Sequence, residues 1–308
     1  MAQGGPTAQR PEVSVGEASA FLAADLAFEP TNVHELSRGE WSIAFGFDSG
    51  GRSLVARFAH QRDDFDRDRL ASDWASQDLP VPEIIDIARW GDGWVAISVF
   101  VNGSSFDDLP GTELVAALGS VLDGIDAMST IEPSGVGWGL IRPDGTAAFE
   151  SWRAFLTDAY SVADRLRGWR QRLDLFAGAG EAFDAGHSRL AALADSYCGP
   201  RRVVHGDLLA GNVLVEDRRV QVFLDWGCAM FGDPLFDLAM LVFWESWHPD
   251  ELRLLERIAG RLRPTTVDFD DRLHACQLKV GLDAMAYCAY QGRSDNLRAC
   301  ITRVESLL

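Results

Sequence analysis

Four polar residues next to two short apolar runs are of types that could carry out chemistry together. They form the pattern H-x-D-x4-N followed by x12-D, and they are His205, Asp207, Asn212 and Asp225. The runs Val213–Val215 and Val220–Leu224 predict a β-hairpin that brings Asn212 close to Asp225. A carboxylate and an amide oxygen side by side suit Mg²⁺, which takes few protein ligands and leaves room for phosphate oxygens. Asp207, a separate carboxylate, could accept the proton of a substrate hydroxyl.

Each of these residues taken alone also fits a purely structural role, because Asn and Asp often make only turn and cap contacts. The combined spacing is typical of a kinase catalytic loop and its metal-binding aspartate. The sequence therefore favours nucleotide-dependent phosphoryl transfer. We expect His205, two residues before the candidate base, to anchor the backbone and not to transfer a proton.

The elements that must position these residues divide the chain into two parts. Residues 1–101 combine a helix at 14–27, opened by a capping box, with strand patterns at 41–47, 54–58, 84–88 and 94–101 and a polar helix at 64–77. From residue 112 the apolar side chains recur every three or four positions, which indicates helices interrupted only at 203–226. The predicted helices lie at 112–131, 150–170, 181–197, 234–244, 250–262, 271–290 and 294–307. We expect an α+β fold with a small β-rich N-lobe (1–101, of which 1–12 form a loose tail) and a larger, mainly α-helical C-lobe (102–308).

Composition restricts the classes of function. The 308 residues include 28 Lys and Arg against 46 Asp and Glu, a formal charge of −18. This charge argues against a nucleic-acid partner and fits a cationic small ligand, although solubility alone would also explain it. No stretch resembles a signal peptide or a membrane span, so we expect a cytoplasmic protein with no membrane partner, and a monomer. The five cysteines are widely spaced, which is typical of a reduced set and not of a zinc site.

Arg57 is the candidate cation for the nucleotide phosphates. The chain has a single lysine, Lys279, so no lysine is available where protein kinases place one on the third strand. Arginine keeps the charge and can bind two phosphate oxygens, but its planar fork is bulkier. We expect its acid partner to be Asp68 on the following helix, with Asp66 as the alternative. A cation on the surface of a strand is the structural alternative for Arg57.

Further nucleotide contacts are expected in the same part of the chain. The turn that contains Gly39 and Ser42 is the candidate for a loop over the phosphates, although its single glycine also fits a plain hairpin turn. The backbone from Ser98 to Phe100 is expected to meet the adenine ring.

Three segments resemble the aminoglycoside phosphotransferase family, small-molecule kinases with a protein-kinase-like fold: His205–Asn212, Leu224–Trp226 and Gly232–Ala239. The likeness extends to Leu36–Glu40, Ala44–Arg52, Leu79–Ile87, Asp108–Leu114, Trp152–Phe155, Ala229–Asp233, Phe243–Trp247 and Gly281–Asp283. The resemblance implies a bilobal fold, ATP as co-substrate, and Mg²⁺ held by Asn212 and Asp225, with Asp207 as the catalytic base. It also implies a cationic aminocyclitol antibiotic as acceptor, first of all hygromycin B, and antibiotic resistance as the outcome.

An acceptor rich in ammonium and hydroxyl groups needs carboxylates and flat surfaces around it. The candidates are Trp244 and Trp247, at i and i+3 on one face just after the helix of Asp237, and the acids Glu132, Glu245 and Asp283. Core packing for the tryptophans and solvation for the acids are the alternatives. Asp233, which precedes Pro234, fits a helix N-cap and is expected to be structural.

Two other functions remain open on the sequence. One is a kinase of another small hydroxyl metabolite, of the amino sugar, choline or homoserine type. The other is an inactive kinase-like binding module. The presence of Asp207, Asn212 and Asp225 argues against the inactive module.

Overall fold

Short strands and longer helices alternate along the chain in this computed structural model, which describes residues 10–159, 166–197, 199–244 and 254–308. The strands are β1 (Thr31–Arg38), β2 (Ser42–Ser49), β3 (Arg52–Ala59), β4 (Ile84–Trp90), β5 (Gly93–Val99), β6 (Ser104–Ser105), β7 (Trp138–Ile141), β8 (Ala147–Phe149), β9 (Arg202–Val204), β10 (Val213–Glu216), β11 (Arg219–Phe223) and β12 (Met230–Gly232). The α-helices are α1 (Val15–Ala24), α2 (Asp63–Ser72), α3 (Gly111–Thr130), α4 (Trp152–Thr157), α5 (Trp169–Leu173), α6 (Ala179–Leu193), α7 (Leu235–Phe243), α8 (Leu254–Leu262), α9 (Phe269–Gln291) and α10 (Ser294–Glu305). Within the described ranges, no helix is both long and apolar enough to cross a membrane.

Residue contacts group the chain into two units. The first unit takes in the chain up to Asp108 and, from much later in the sequence, Gly211–Cys228. The second unit consists of Leu109–Ala210 and Ala229–Leu308. The lobe boundary between residues 101 and 102 stays a prediction.

The first unit opens with α1, whose start follows the predicted capping box. The Ser14 hydroxyl accepts a hydrogen bond from the N–H of Glu17, and the Glu17 carboxylate accepts one from the N–H of Ser14. Two of the donors that a helix start leaves unpaired are thereby satisfied. Leu22, fully buried, is on the face of α1 that packs on the sheet.

An antiparallel sheet of five strands, in the order β1-β2-β3-β5-β4, forms the frame of the first unit. Because successive residues of a strand point to opposite faces, β5 serves two cores. Val95 and Ile97 face the cluster that includes α1, whereas Ala96 faces a second cluster with Phe65 of α2. Arg57 of β3 is paired with Ala96, so it lies on the face covered by α2.

The hairpin predicted from the two apolar runs is confirmed. β10 and β11 pair antiparallel, and Asp217 and Arg218 form its two-residue turn with positive φ angles of 50° and 64°. Two positive φ angles are typical of a type I′ turn, whose twist matches that of the strands. At the open end, the N–H of Leu224 donates to the carbonyl of Asn212 at 2.8 Å. β6 pairs with the outer side of β10 to give a three-stranded sheet.

The second unit combines a bundle of helices with a four-stranded sheet in the order β8-β7-β12-β9. The long helix α9 packs against α5, α6, α7 and α10. The expectation of helices alone outside 203–226 is wrong here, because β7, β8 and β12 also form strands. Each has only three or four residues, too few to show an alternating pattern. The single helix predicted at 150–170 is also wrong, since α4 ends at Thr157 and α5 begins at Trp169.

Two buried aspartates organise the start of α7. Asp237, 1% exposed, accepts hydrogen bonds from the backbone N–H groups of His205 and Gly206 at 2.8 and 2.9 Å. Burial raises the pKa of Asp237 to about 7, although these two N–H groups lower it. Asp233 is fully buried and accepts two hydrogen bonds from the Arg272 guanidinium, at 2.9 and 2.6 Å.

Asp233 also accepts from the N–H of Leu235 at 3.0 Å, which is the capping contact expected of it. The helix itself begins at Leu235, one residue later than predicted, and Pro234 occupies the cap position. The first turn of α7 is therefore joined both to α9 and to the loop after β9.

We expect Asp237→Asn to lower the free energy of unfolding, because one amide oxygen cannot serve two backbone N–H groups. An unpaired buried N–H costs about 1–3 kcal/mol. The folded-state pKa lies above the ordinary value of 3.8, so the contribution of Asp237 to stability is complete below about pH 4. It is lost as the pH rises through about 7. The destabilisation should therefore be larger at pH 5 than at pH 8 in urea unfolding.

The matched control is Asp295→Asn, which changes a side chain that is 91% exposed. Its effect on the free energy of unfolding should be small at both pH values. If the destabilisation by Asp237→Asn grew towards pH 8, the assignment of a raised pKa to Asp237 would be wrong.

Candidate active site

Asn212 and Asp225 lie where the two strands of the β10–β11 hairpin meet. A hydrogen bond from the backbone N–H of Leu224 to the carbonyl of Asn212 holds the two strands together at this end. Asp225 adopts a positive φ of 59°, and its side chain is 49% exposed. The hairpin therefore places an amide oxygen and an accessible carboxylate on neighbouring chain segments.

The oxygen donors at this hairpin suit Mg²⁺, which needs few protein ligands, better than a metal ion whose ligands are all protein side chains. Among the residues that the structure describes, no group of three or more His, Cys, Asp or Glu side chains could hold a metal ion. Mg²⁺ commonly takes one or two protein oxygens and fills its other positions with water and phosphate oxygens. Asn212 and Asp225 supply such a pair.

Arg57 connects this hairpin to α2 through two carboxylates. One guanidinium nitrogen is paired with Oδ2 of Asp68, and the other lies 3.5 Å from Oδ1 of Asp225. Asp68 is thus the partner that the sequence favoured, whereas the alternative, Asp66, pairs with Arg62. The ring of Phe65 lies 5.0 Å from the Arg57 guanidinium and closes one side of the cluster.

The cluster holds one cation, Arg57, against two carboxylates, Asp68 and Asp225. Burial raises the pKa of Asp68 to about 6, while the Arg57 guanidinium lowers it. Burial lowers the pKa of Arg57, but the neighbouring carboxylates of Asp68, Asp225 and Asp64 together raise it by more. Arg57 therefore stays charged, and it can face an anion as well as the two aspartates.

Two neighbouring side chains of α2 hold the backbone that follows Asp225. Asp68 accepts a hydrogen bond through Oδ1 from the N–H of Trp226 at 2.9 Å. Arg67, 3% exposed, donates from Nε to the carbonyl of Gly227 at 2.6 Å. The sequence assigned no role to Arg67, because an arginine within the run DDFDRDR is typical of a solvated helix face. Its partner lies 160 residues away in the chain.

The turn between β1 and β2 is tight at Gly39. A side-chain carbon on Gly39 would lie 3.3 Å from the carbonyl oxygen of Ser42, the first residue of β2. Arg10 donates to the carbonyl of Gly39 at 2.9 Å, a contact that the sequence did not reveal. The candidate phosphate loop is thus short, and its backbone is held from the N-terminal side.

Ser98 and Phe100, the candidates for adenine contact, lie at the end of β5 and just after it. Ser98 pairs with residues of both β3 and β4, so its backbone belongs to the sheet. The N–H of Phe100 donates to the carbonyl of Ser53 at 3.0 Å. The carbonyl of Phe100 is therefore the backbone group of that residue that could meet a base.

Asp207 belongs to the second unit, in the loop between β9 and the hairpin. Its N–H donates to Nδ1 of His205 at 3.3 Å, and its carbonyl accepts from Leu209 at 2.8 Å. Because Nδ1 acts as an acceptor, a neutral His205 carries its proton on Nε2. His205 is fully buried, and Asp237 holds its N–H and that of Gly206. These contacts fix the backbone of the loop that carries Asp207.

The acceptor candidates are dispersed in the second unit. Glu132 is exposed just beyond the end of α3, and Trp244 packs edge-on against Phe243 at the end of α7. Asp283 of α9 is paired with Lys279 at 2.8 Å; burial raises the pKa of Asp283 and Lys279 lowers it. Glu245 and Trp247 lie outside the described residues.

Comparisons with known proteins identify the family of the chain. The model of the phosphotransferase enzyme family matches residues 39–269. The chain is 31% identical over 297 residues to a hygromycin-B 4-O-kinase of Escherichia coli, which covers 94% of this chain and 83% of that protein.

Solved structures extend the likeness to the fold. The aminoglycoside phosphotransferase APH(4)-Ia matches with a TM-score of 0.85 and 28% identity, over 96% of this chain and 98% of that one. A thermostable mutant of it, in ternary complex with AMP-PNP and hygromycin B, matches with a TM-score of 0.83 and 30% identity, over 94% and 97%. Aminoglycoside 2'-phosphotransferase-IIIa shares the fold at a TM-score of 0.64 and 13% identity, over 96% and 98%. The predicted α+β, protein-kinase-like fold class is thereby confirmed, and the chain belongs to the phosphotransferase enzyme family that includes the aminoglycoside phosphotransferases.

Proposed function

We propose that this protein transfers the γ-phosphoryl group of ATP to a hydroxyl group of an aminocyclitol antibiotic, hygromycin B in the first instance, and so confers resistance. The observation that carries the proposal is the cluster of Arg57, Asp68 and Asp225 beside Asn212 in the first unit. A cation next to an exposed metal-type carboxylate is what a metal–phosphate group requires. The likeness to hygromycin-B 4-O-kinase supports the choice of acceptor.

The nucleotide side of the reaction falls to the first unit. Asn212 and Asp225 would hold Mg²⁺, which neutralises charge on the phosphates when bound with the nucleotide. Arg57 would bind phosphate oxygens with the guanidinium nitrogen that faces Asp225. The turn at Gly39 and Ser42 would cover the phosphates with backbone N–H groups, and the backbone from Ser98 to Phe100 would meet the adenine.

The acceptor side falls to the second unit. Asp207 would accept the proton of the attacking hydroxyl and orient its oxygen towards the γ-phosphorus. His205 and Asp237 keep the loop of Asp207 in one backbone conformation. Glu132, Trp244, Glu245, Trp247 and Asp283 are the side chains proposed to meet the ammonium groups and sugar rings. The net charge of −18 would attract a polycationic acceptor.

We expect incubation with hygromycin B, ATP and Mg²⁺ to give a product that carries one added phosphoryl group, detected by mass spectrometry. The same experiment with other aminoglycosides, choline, homoserine and an amino sugar separates this acceptor from those of the alternative kinases. Absence of turnover that depends on any antibiotic would contradict the proposal. If only a metabolite were phosphorylated, the proposed acceptor would be wrong but the proposed phosphoryl transfer would stand.

We expect Asp207→Ala to lower kcat by about 10²–10⁴-fold, the usual contribution of a positioned general base. Binding of AMP-PNP with Mg²⁺, measured by calorimetry, should stay within about twofold because Asp207 is not a proposed metal ligand. Asp271→Ala, which removes an exposed acid of α9, is the control and should keep full activity. An Asp207→Ala variant with wild-type kcat would exclude Asp207 as the base.

We expect Arg57→Lys to raise the KM for ATP by about tenfold, because lysine keeps the charge but cannot pair with Asp68 through one nitrogen while it binds phosphate through another. The KM for the antibiotic should change little. Arg52→Lys is the matched control, since Arg52 opens the same strand and has an exposed side chain. Equal changes in the two variants would show that Arg57 acts only as a surface cation.

A further inference from the structure

The segment Asp225–Gly227, which we call the ligand turn, is held in place by side chains of α2. Asp225 at its start is the exposed member, and Trp226 after it is 1% exposed. The Trp226 indole packs edge-on to Trp74 and donates to the carbonyl of Phe223 at 3.0 Å. The ligand turn therefore has one accessible carboxylate on a backbone whose next residue is firmly anchored.

Asp225 occupies a backbone conformation that needs support. Its φ of 59° lies in the left-handed region, which costs an L-residue other than glycine about 1–2 kcal/mol. Such conformations persist where the surrounding structure over-determines them, and they occur often at functional sites. On the C-terminal side of Asp225, the residues that fix Trp226 and Gly227 supply such support.

Arg67 supplies the support at the far end of the ligand turn. Its side chain is 3% exposed, and Nε donates to the carbonyl of Gly227 at 2.6 Å. A terminal nitrogen of the same guanidinium is paired with Asp64 at 2.5 Å, one turn earlier on α2. The planar guanidinium of Arg67 thus bridges the Asp64 carboxylate and the Gly227 carbonyl. This fixes both the position and the direction of the Gly227 carbonyl.

Gly227 packs closely against the groups around it. A side-chain carbon there would lie 3.3 Å from Oδ1 of Asp225 and 3.3 Å from Cβ of Asp64. Small movements of the Gly227 peptide therefore change the space available to the Asp225 carboxylate. Arg67 holds the carbonyl of Gly227 and contacts the ligand turn two residues after Asp225.

We infer that Arg67 is a positioning residue for the metal-ligand carboxylate of Asp225, and that it sets the affinity of the nucleotide-bound protein for a divalent cation. The inference rests on the proposed function, in which Asp225 binds Mg²⁺. Asp68, the next residue of α2, pairs with Arg57 and accepts from Trp226. Helix α2 thereby connects the phosphate-binding cation and the ligand turn through adjacent side chains.

The test measures metal binding directly. Mn²⁺ is titrated into the full-length protein saturated with AMP-PNP, and free Mn²⁺ is followed by electron paramagnetic resonance. Residues that orient metal ligands usually change affinity by about 10–100-fold when replaced. We expect Arg67→Gln to weaken Mn²⁺ binding by about tenfold and to raise the Mg²⁺ concentration for half-maximal activity similarly, with a smaller change in Arg67→Lys.

The matched control is Arg69→Gln, which removes the same charge from the same helix at an exposed position. It should leave Mn²⁺ affinity unchanged. Equal Mn²⁺ affinity in wild type and Arg67→Gln would overturn the inference, and so would an equal loss in the Arg67 and Arg69 variants. If Arg67→Gln does not fold, the Mn²⁺ affinity of Arg67→Lys is compared with those of the wild type and the Arg69 variant in the same way.

Failure of the proposed function gives a different result. A wild-type protein that binds AMP-PNP without any Mn²⁺, and shows no turnover with antibiotics, contradicts the function itself. A wild type that binds Mn²⁺ and turns over, together with unchanged Arg67 variants, contradicts only the role of Arg67.

Discussion

The carboxylate of Asp68 is the contact on which the candidate nucleotide site depends. One oxygen pairs with Arg57 on β3, and the other accepts the N–H of Trp226 after Asp225. Removing a charge from water is costly unless partners replace the water. Here a guanidinium and a backbone N–H both do so. A single side chain thus joins a strand, a helix and the β10–β11 hairpin.

The second unit uses the same physical device on another loop. Asp237 is buried within α7 and receives two backbone N–H groups from His205 and Gly206. The candidate base Asp207 follows directly. In each unit, therefore, a buried aspartate accepts backbone hydrogen bonds and fixes a loop next to a candidate functional carboxylate.

Local patterns in the sequence predicted the parts that local rules govern. The capping box at Ser14, the β10–β11 hairpin and the pairing of Arg57 with Asp68 all follow from spacing or from the order of elements. The short strands β7, β8 and β12 did not, because three or four residues carry no period. Arg67 could not be found either, since its acceptor carbonyl lies 160 residues away and a charged helix gives no sign of it. The roles of the acceptor candidates depend on a ligand that no pattern within the chain describes.

Lys279 has a consequence for chemical labelling of the protein. It is the single lysine of the chain and is 2% exposed within α9, where it pairs with Asp283 and faces the ring of Phe155. A reagent that acylates lysine amines can reach it only when the packing around Lys279 opens. The rate of acylation at this one amine is therefore a built-in reporter of transient opening in the helical unit, readable by mass on a single peptide.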